Sequence, residues 1–158
     1  MLDLVTLLAS CAPSVAPETM TALVDVESSG NPYAIGVVDG RLERQPETLA
    51  EALSTARALE AAGWNYSVGL AQVNRLNFKV YRLTLEQAFE PCRNLATGAA
   101  ILGECYARAT IDRDPQVGLR AALSCYYSGG FERGFQPDDD GTSYVERVLR
   151  RVGPKYIE

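Results

Sequence analysis

Apolar residues Met20, Leu23 and Val24 follow the i, i+3, i+4 spacing of one helix face, and the next position of that stripe, i+7, is Glu27. Pro17 suits the first helical position, and Ser28-Ser29-Gly30 followed by Asn31-Pro32 ends the segment. The pattern then changes to strand spacing. Tyr33–Val38 and Arg41–Arg44, on either side of Asp39-Gly40, read as two strands joined by a tight turn, and a third short strand is expected within Ser67–Val73. Between these, Thr48 and Glu51 have capping-box spacing at the head of a stripe of Leu49, Leu53, Ala56 and Leu59 that Gly63 stops. Thr84–Gln87 opens a brief helix that ends before Pro91. The remainder is helical: Arg93 to about Ala109 with Leu95, Ala99, Leu102 and Tyr106 in register, then a helix from Asp114-Pro115 to Ser128 ended by Gly129-Gly130. Ser143 and Glu146 have capping-box spacing for a last helix closed by Gly153-Pro154. The expected fold class is mainly α (α+β), a helical domain with a small antiparallel β-sheet inserted between helices.

Composition narrows the chemistry such a scaffold can carry. The 158 residues suit one domain spanning 1–158. The chain has no histidine, which excludes Ser-His-Asp triads, Cys-His dyads and zincin sites and leaves acid–base work to carboxylates. Lys+Arg 15 against Asp+Glu 20 gives a net charge of −5, the wrong sign for a nucleic-acid surface. Asp138-Asp139-Asp140-Gly141 lacks the spaced ligands and closing glutamate of a calcium loop and reads as a solvated turn. No metal and no cofactor are expected. No apolar run approaches the roughly 20 residues of a membrane span.

Cys11, Cys92, Cys105 and Cys125 are even in number and suit two disulfides in an oxidising compartment. If residues 93–106 form one helix, Cys92 and Cys105 lie about 20 Å apart at ~1.5 Å per residue, beyond the ~7 Å Cα reach of a disulfide. Cys92 then pairs with either Cys11 or Cys125. An exported protein carries a targeting segment, yet Met1–Ser10 has no Lys or Arg and its apolar stretch Leu4–Ala9 is shorter than the usual signal core. A mature or truncated form without its signal peptide is the expectation. Leu8-Ala9-Ser10-Cys11 mimics a lipoprotein cleavage box but has no charged segment before it, and a short amphipathic helix with a structural cysteine is the preferred reading.

A carboxylate on the apolar face of a helix loses hydration, which favours its protonated form and suits a general acid near neutral pH. Glu27 is placed that way, and a core glutamate paired to arginine is the structural alternative. The surrounding residues extend the first reading. Glu27-Ser28 followed by Gly30-Asn31-Pro32 and Ala34 resembles the catalytic glutamate segment of the lytic transglycosylases, which have a goose-type lysozyme-like fold. Tyr33-Ala34-Ile35-Gly36-Val37 matches the branch associated with type IV secretion systems. Gly69-Leu70-Ala71-Gln72-Val73-Asn74 resembles the Gly-Leu-x-Gln motif, and Asn94-Leu95 with Gly98, Ala99 and Leu102 resembles the Asn-Leu-x-x-Gly helix. Cys125-Tyr126-Tyr127-Ser128-Gly129 is similar to the family's Ala-Tyr-Asn-x-Gly, and Tyr144-Val145 with Val148 to its closing Tyr-Val-x-x-Val. The motifs keep their order over residues 27–148. One departure is visible: Tyr127 stands where many members have Asn, so Tyr126 is carried over and Tyr127 is not.

The resemblance implies cleavage of the β-1,4 bond between N-acetylmuramic acid and N-acetylglucosamine in peptidoglycan, with closure of a 1,6-anhydro ring. It implies Glu27 as catalytic acid and then base, and Gln72, Asn94, Tyr126 and Tyr144 as substrate-binding groups, with Gln72 facing the sugar. Asn94 also suits a helix cap and Tyr144 also suits packing, while Gly69 and Gly98 read as backbone and packing positions. Such chemistry explains the lack of a second catalytic carboxylate, where ordinary glycosidases place a pair roughly 5–9 Å apart. Asp25 does not fill that place, being two residues before Glu27 and about 160° round the helix. The implied setting is periplasmic, with peptidoglycan strands and secretion-system components as partners. A goose-type lysozyme hydrolysing the same bond, and a peptidoglycan-binding assembly module with little turnover, are the alternatives.

Overall fold

A computed structural model describes residues 3–153. Among them are eight α-helices and a three-stranded antiparallel sheet, and 58% of the structure is helical, in keeping with the mainly α expectation. Among the described residues no helix is long and apolar enough to cross a membrane. The described residues divide into two compact units, residues 3–12 with 27–98 and residues 13–26 with 99–153.

The first unit holds α1 (Leu4–Cys11), the end of α2 (Pro17–Ser28), β1 (Ile35–Val37), α3 (Leu49–Ala61), β2 (Tyr66–Val68), β3 (Val73–Asn74), α4 (Leu76–Val80), α5 (Leu85–Phe89) and the start of α6 (Pro91–Ala109). Its core is built from Ile35, Ala52, Ala56, Tyr66, Val68, Ala88 and Phe89, with Leu53 and Leu59 packed against it. The α3 stripe thus faces inward as its spacing predicts, except that Leu49 in the first turn is exposed. Thr48 caps α3 by accepting from the Glu51 N–H, while the Glu51 carboxylate reaches one residue further back, to the Glu47 N–H. Thr84 and Gln87 form a complete capping box on α5.

The sheet differs from the expected hairpin. Arg41–Arg44 is not a strand, although the Asp39 turn forms with φ 61°. β1 pairs instead with β2, Ile35 opposite Val68 and Val37 opposite Tyr66, and β2 pairs with β3. The reason lies in Gln45, whose amide accepts from the Ile35 N–H at 2.8 Å and donates to the Ile35 carbonyl at 3.0 Å. One side chain therefore supplies the two bonds that a neighbouring strand would have made. Where one short strand was expected within Ser67–Val73, β2 enters the range at one end and β3 at the other, joined through Gly69–Gln72.

The second unit holds the greater part of α2, the end of α6, α7 (Pro115–Ser128), a 3-10 turn at Arg133–Phe135 and α8 (Tyr144–Val152). Asp114 caps α7 on the N–H groups of Gln116 and Val117, and Gly129 closes it at φ 82°. Ser143 and Glu146 form the capping box of α8. Gly153 follows α8, while Pro154 lies outside the described residues. α7, the 3-10 turn and α8 pack on one another. Tyr106, counted in the α6 stripe, is at the surface.

Both disulfides form, and each lies within one unit: Cys11–Cys92 in the first and Cys105–Cys125 in the second. They span 81 and 20 residues of sequence. Loop-closure entropy makes the longer bridge worth about 4.5 kcal/mol and the shorter about 3 kcal/mol. Replacing Cys11 and Cys92 by serine is therefore expected to lower the thermal midpoint more than replacing Cys105 and Cys125, measured by circular dichroism on oxidised protein.

Candidate active site

Glu27 stands in the last turn of α2 and is partly buried. Its neighbour Ser28 is buried and donates its hydroxyl to the Leu70 carbonyl at 2.7 Å. That bond fixes the glutamate-bearing turn to the loop between β2 and β3. The chain then reverses through Ser29 at φ 52° and Gly30 at φ 77°, and the Asn31 side chain accepts from the Tyr33 N–H. Polar residues with local hydrogen-bonding reach make such a reversal possible directly after a helix. Ala34, where the chain enters β1, accepts at its carbonyl from the Gly69 N–H at 2.9 Å and from Gln72 Nε2 at 3.0 Å. Two loops far apart in sequence are thus joined at one oxygen.

Gln72 is held in an uncommon backbone conformation. It adopts φ 51°, a conformation that costs a non-glycine residue energy and persists only where the surroundings hold it. What holds it is its own amide, which donates to both Ala34 and Gly69 carbonyls at 3.0 Å. Its Oε1 is directed over Gly36, where a Cβ would lie only 2.6 Å away.

Asn94 is fully buried near the start of α6. Its Oδ1 accepts from the Ala71 N–H at 2.7 Å, and its Nδ2 donates to the Val68 and Ala88 carbonyls, both at 2.8 Å. The amide is spent on the backbone around the Gly69–Gln72 loop. A direct sugar contact, expected above for Asn94, does not fit a side chain with no exposed surface. Gly69, at φ 79°, is required by the same packing, because a Cβ there would fall 2.3 Å from Asn94 Nδ2.

In the second unit Tyr126 is partly buried in the last turn of α7, next to the disulfide-bonded Cys125. Tyr144, at the first position of α8, is 1% exposed. Tyr127 stacks on it with ring centroids 4.6 Å apart and planes 8° from parallel. The Tyr127 hydroxyl donates to the Asp138 carboxylate, and Arg133 lies over the ring at 5.6 Å. Asp138 also pairs with Arg133 at 2.7 Å and Arg147 at 2.8 Å. The Arg147 hydrogen bond above all, with those of Arg133 and Tyr127, holds its carboxyl below the usual range, while burial and then the Asp138 charge push the Tyr127 phenol up. The acidic triplet is therefore not simply a solvated turn. Its first residue is an ion-pair centre, and Asp140 binds the Thr142 N–H and hydroxyl. Among the described residues no group of three or more His, Cys, Asp or Glu is placed to hold a metal ion.

Residues 6–138 match the model of the transglycosylase SLT domain. The chain belongs to the SLT transglycosylase family. It is 54% identical over 151 residues to the type IV secretion system protein virB1 of Brucella abortus and, to the same extent, to that of Brucella suis, covering 94% of this chain and 63% of each relative. It is 36% identical over 138 residues to protein virB1 of Agrobacterium fabrum, covering 87% of this chain and 54% of that protein. The chain thus spans less than two thirds of the length of these curated relatives.

Several residues of this SLT domain that shape the site escaped sequence reasoning. Ser28 and the Ala34 carbonyl have no side-chain signature. Gly36 does carry one, since an isolated glycine inside a strand marks a close approach of another group. Tyr127, set aside above because it replaces the more usual Asn, supports Tyr144 through its stacked ring. Asp25, the carboxylate beside Glu27 in sequence, is paired with Arg151 at the surface of the second unit.

Proposed function

We propose that this chain is a peptidoglycan lytic transglycosylase, with Glu27 as the acid and then the base of one reaction. The observation that supports it best is the double anchoring of the glutamate turn and the Gln72 loop, through Ser28 on Leu70 and Gln72 on Ala34, in a chain of the SLT family. In the first step Glu27 gives its proton to the glycosidic oxygen as the C1–O4 bond between N-acetylmuramic acid and N-acetylglucosamine breaks. The C6 hydroxyl oxygen of the muramic residue then bonds to C1, and its proton passes to the Glu27 carboxylate. The enzyme returns to its starting state and no water is consumed.

Gln72 and Tyr126 are assigned to the sugar side of the reaction, Tyr144 to backing the exposed Tyr127 ring that stacks on it, and Asn94 to holding the Gln72 loop. Two disulfides suit an oxidising compartment, and periplasmic action fits a cell-wall substrate. The names of the Brucella relatives point to type IV secretion, for which local opening of the wall would clear a path. Mass spectrometry of the fragments released from purified peptidoglycan tests the chemistry. Anhydromuramyl ends are expected. Reducing ends would make the chain a hydrolase, and no fragments would favour a binding module.

A further inference from the structure

We infer that a cavity of about 310 Å³ in the second unit binds an apolar residue with a free carboxylate, as at the C-terminus of a peptide. Val15, Leu102, Tyr106, Pro115 and Leu119 give it apolar walls, drawn from the loop before α2 and from α6 and α7. Small-ligand sites run upward from about 300 Å³, so this one suits a single residue. Gly103 and Tyr106 are exposed, and the cavity opens to solvent past them. Thr19 lines it from the first turn of α2, whereas Glu27 stands in the last turn of that helix. Gly103 marks the space as one that is kept. Glycine is the least favourable residue inside a helix after proline, and its use there commonly answers a close neighbour or a positive φ. Neither holds in the interior of α6, where a Cβ on Gly103 would meet nothing within 4 Å. Because Gly103 borders the cavity, what its missing side chain preserves is the cavity itself.

The polar end of the cavity is set for an acceptor. α2 begins at Pro17, which has no N–H, and follows Ala16, whose side chain carries no oxygen to cap the helix. The N–H groups of Glu18 and Thr19 have no acceptor among the described residues, and the first paired one is that of Met20, on the Ala16 carbonyl at 3.1 Å. Thr19 is only 8% exposed, yet its hydroxyl has no partner among the described residues and is not fully enclosed. Its remaining surface opens into the cavity it lines. Two N–H groups and a hydroxyl at the positive end of a helix suit a carboxylate. The acids nearby leave that end open: Asp114 is spent on the Gln116 and Val117 N–H groups, Glu104 pairs with Arg108, and Glu18 is exposed to solvent. A terminal residue holds its carboxylate directly beside a compact apolar group, which matches a small cavity with Thr19 set among apolar walls. A long acyl chain would extend beyond it.

The test is an NMR titration of the nitrogen-15-labelled chain with N-acetyl-leucine, its C-terminal amide and octanoate. N-acetyl-leucine is expected to saturate at millimolar concentration and to shift the Glu18, Thr19 and Leu119 amide signals. The amide should bind about tenfold more weakly, because it lacks the charge that the helix end meets. Thr19→Val, which keeps the shape and removes the hydroxyl, should weaken binding of the acid by about tenfold, and Thr19→Ser should restore it. Gly103→Leu should abolish binding with a thermal midpoint no lower than that of the wild type, since the new side chain fills open space. Equal binding of acid and amide, no saturation by either, or unchanged binding in Gly103→Leu would overturn the inference. Saturation by octanoate alone would overturn the peptide source. None of these readouts depends on cleavage of peptidoglycan.

Discussion

Glu27→Gln is expected to lower kcat on peptidoglycan by roughly 10²–10⁴-fold, the range that one positioned general acid–base group contributes. The carboxamide has nearly the shape of the acid but gives no proton to the leaving oxygen and takes none from the C6 hydroxyl. Both halves of the proposed reaction are lost together. KM should barely move, because the group acts in the transition state and not in holding the ground-state sugar. The turn itself should survive, since Ser28 and not Glu27 makes the bond to Leu70. A thermal midpoint close to that of the wild type would establish that the loss is chemical. Turnover within a factor of about three of the wild type would remove Glu27 from the mechanism.

The largest effect on stability is expected from Asn94→Ala. The substitution strips partners from the Ala71 N–H and from the Val68 and Ala88 carbonyls, all in residues with no exposed surface. Each buried polar group left without a partner costs about 1–3 kcal/mol, so the three together cost about 3–9 kcal/mol, with a fall of roughly 10 °C or more in the thermal midpoint. Asn94→Asp is no remedy. It keeps the bond to Ala71 but sets an oxygen against two carbonyl oxygens. A residue whose task was to touch sugar would behave differently, weakening binding and leaving the midpoint in place. Circular dichroism melts separate the two roles, and a midpoint within about 2 °C of the wild type would refute the positioning role given to Asn94.

Much of the helical framework was legible in the sequence because its signals are local. Thr84, Asp114 and Ser143 each announce a helix three residues or fewer before the backbone group they satisfy. The sheet was legible only in part. Arg41–Arg44 follows a turn that does form, and no local rule distinguishes a returning strand from a loop whose one glutamine takes the strand's bonds. Glu27 and Gln72 were found through motif resemblance, but the oxygen of Ala34 that joins their segments belongs to the backbone and has no letter in the sequence. Asn94 shows the limit most clearly. The motif singles out its position, yet whether an asparagine amide meets substrate or backbone depends on contacts 23 to 26 residues away.

The Gln45 clasp on Ile35 also bears on how the molecule behaves in company. β1 lies at the border of its sheet, where an open row of amide and carbonyl groups invites a strand from another molecule to add on. With both Ile35 groups occupied by a side chain of the same chain, that end of the border offers no partner groups to an incoming strand. Strand addition at the Ile35 end of β1 is thereby blocked by the chain itself.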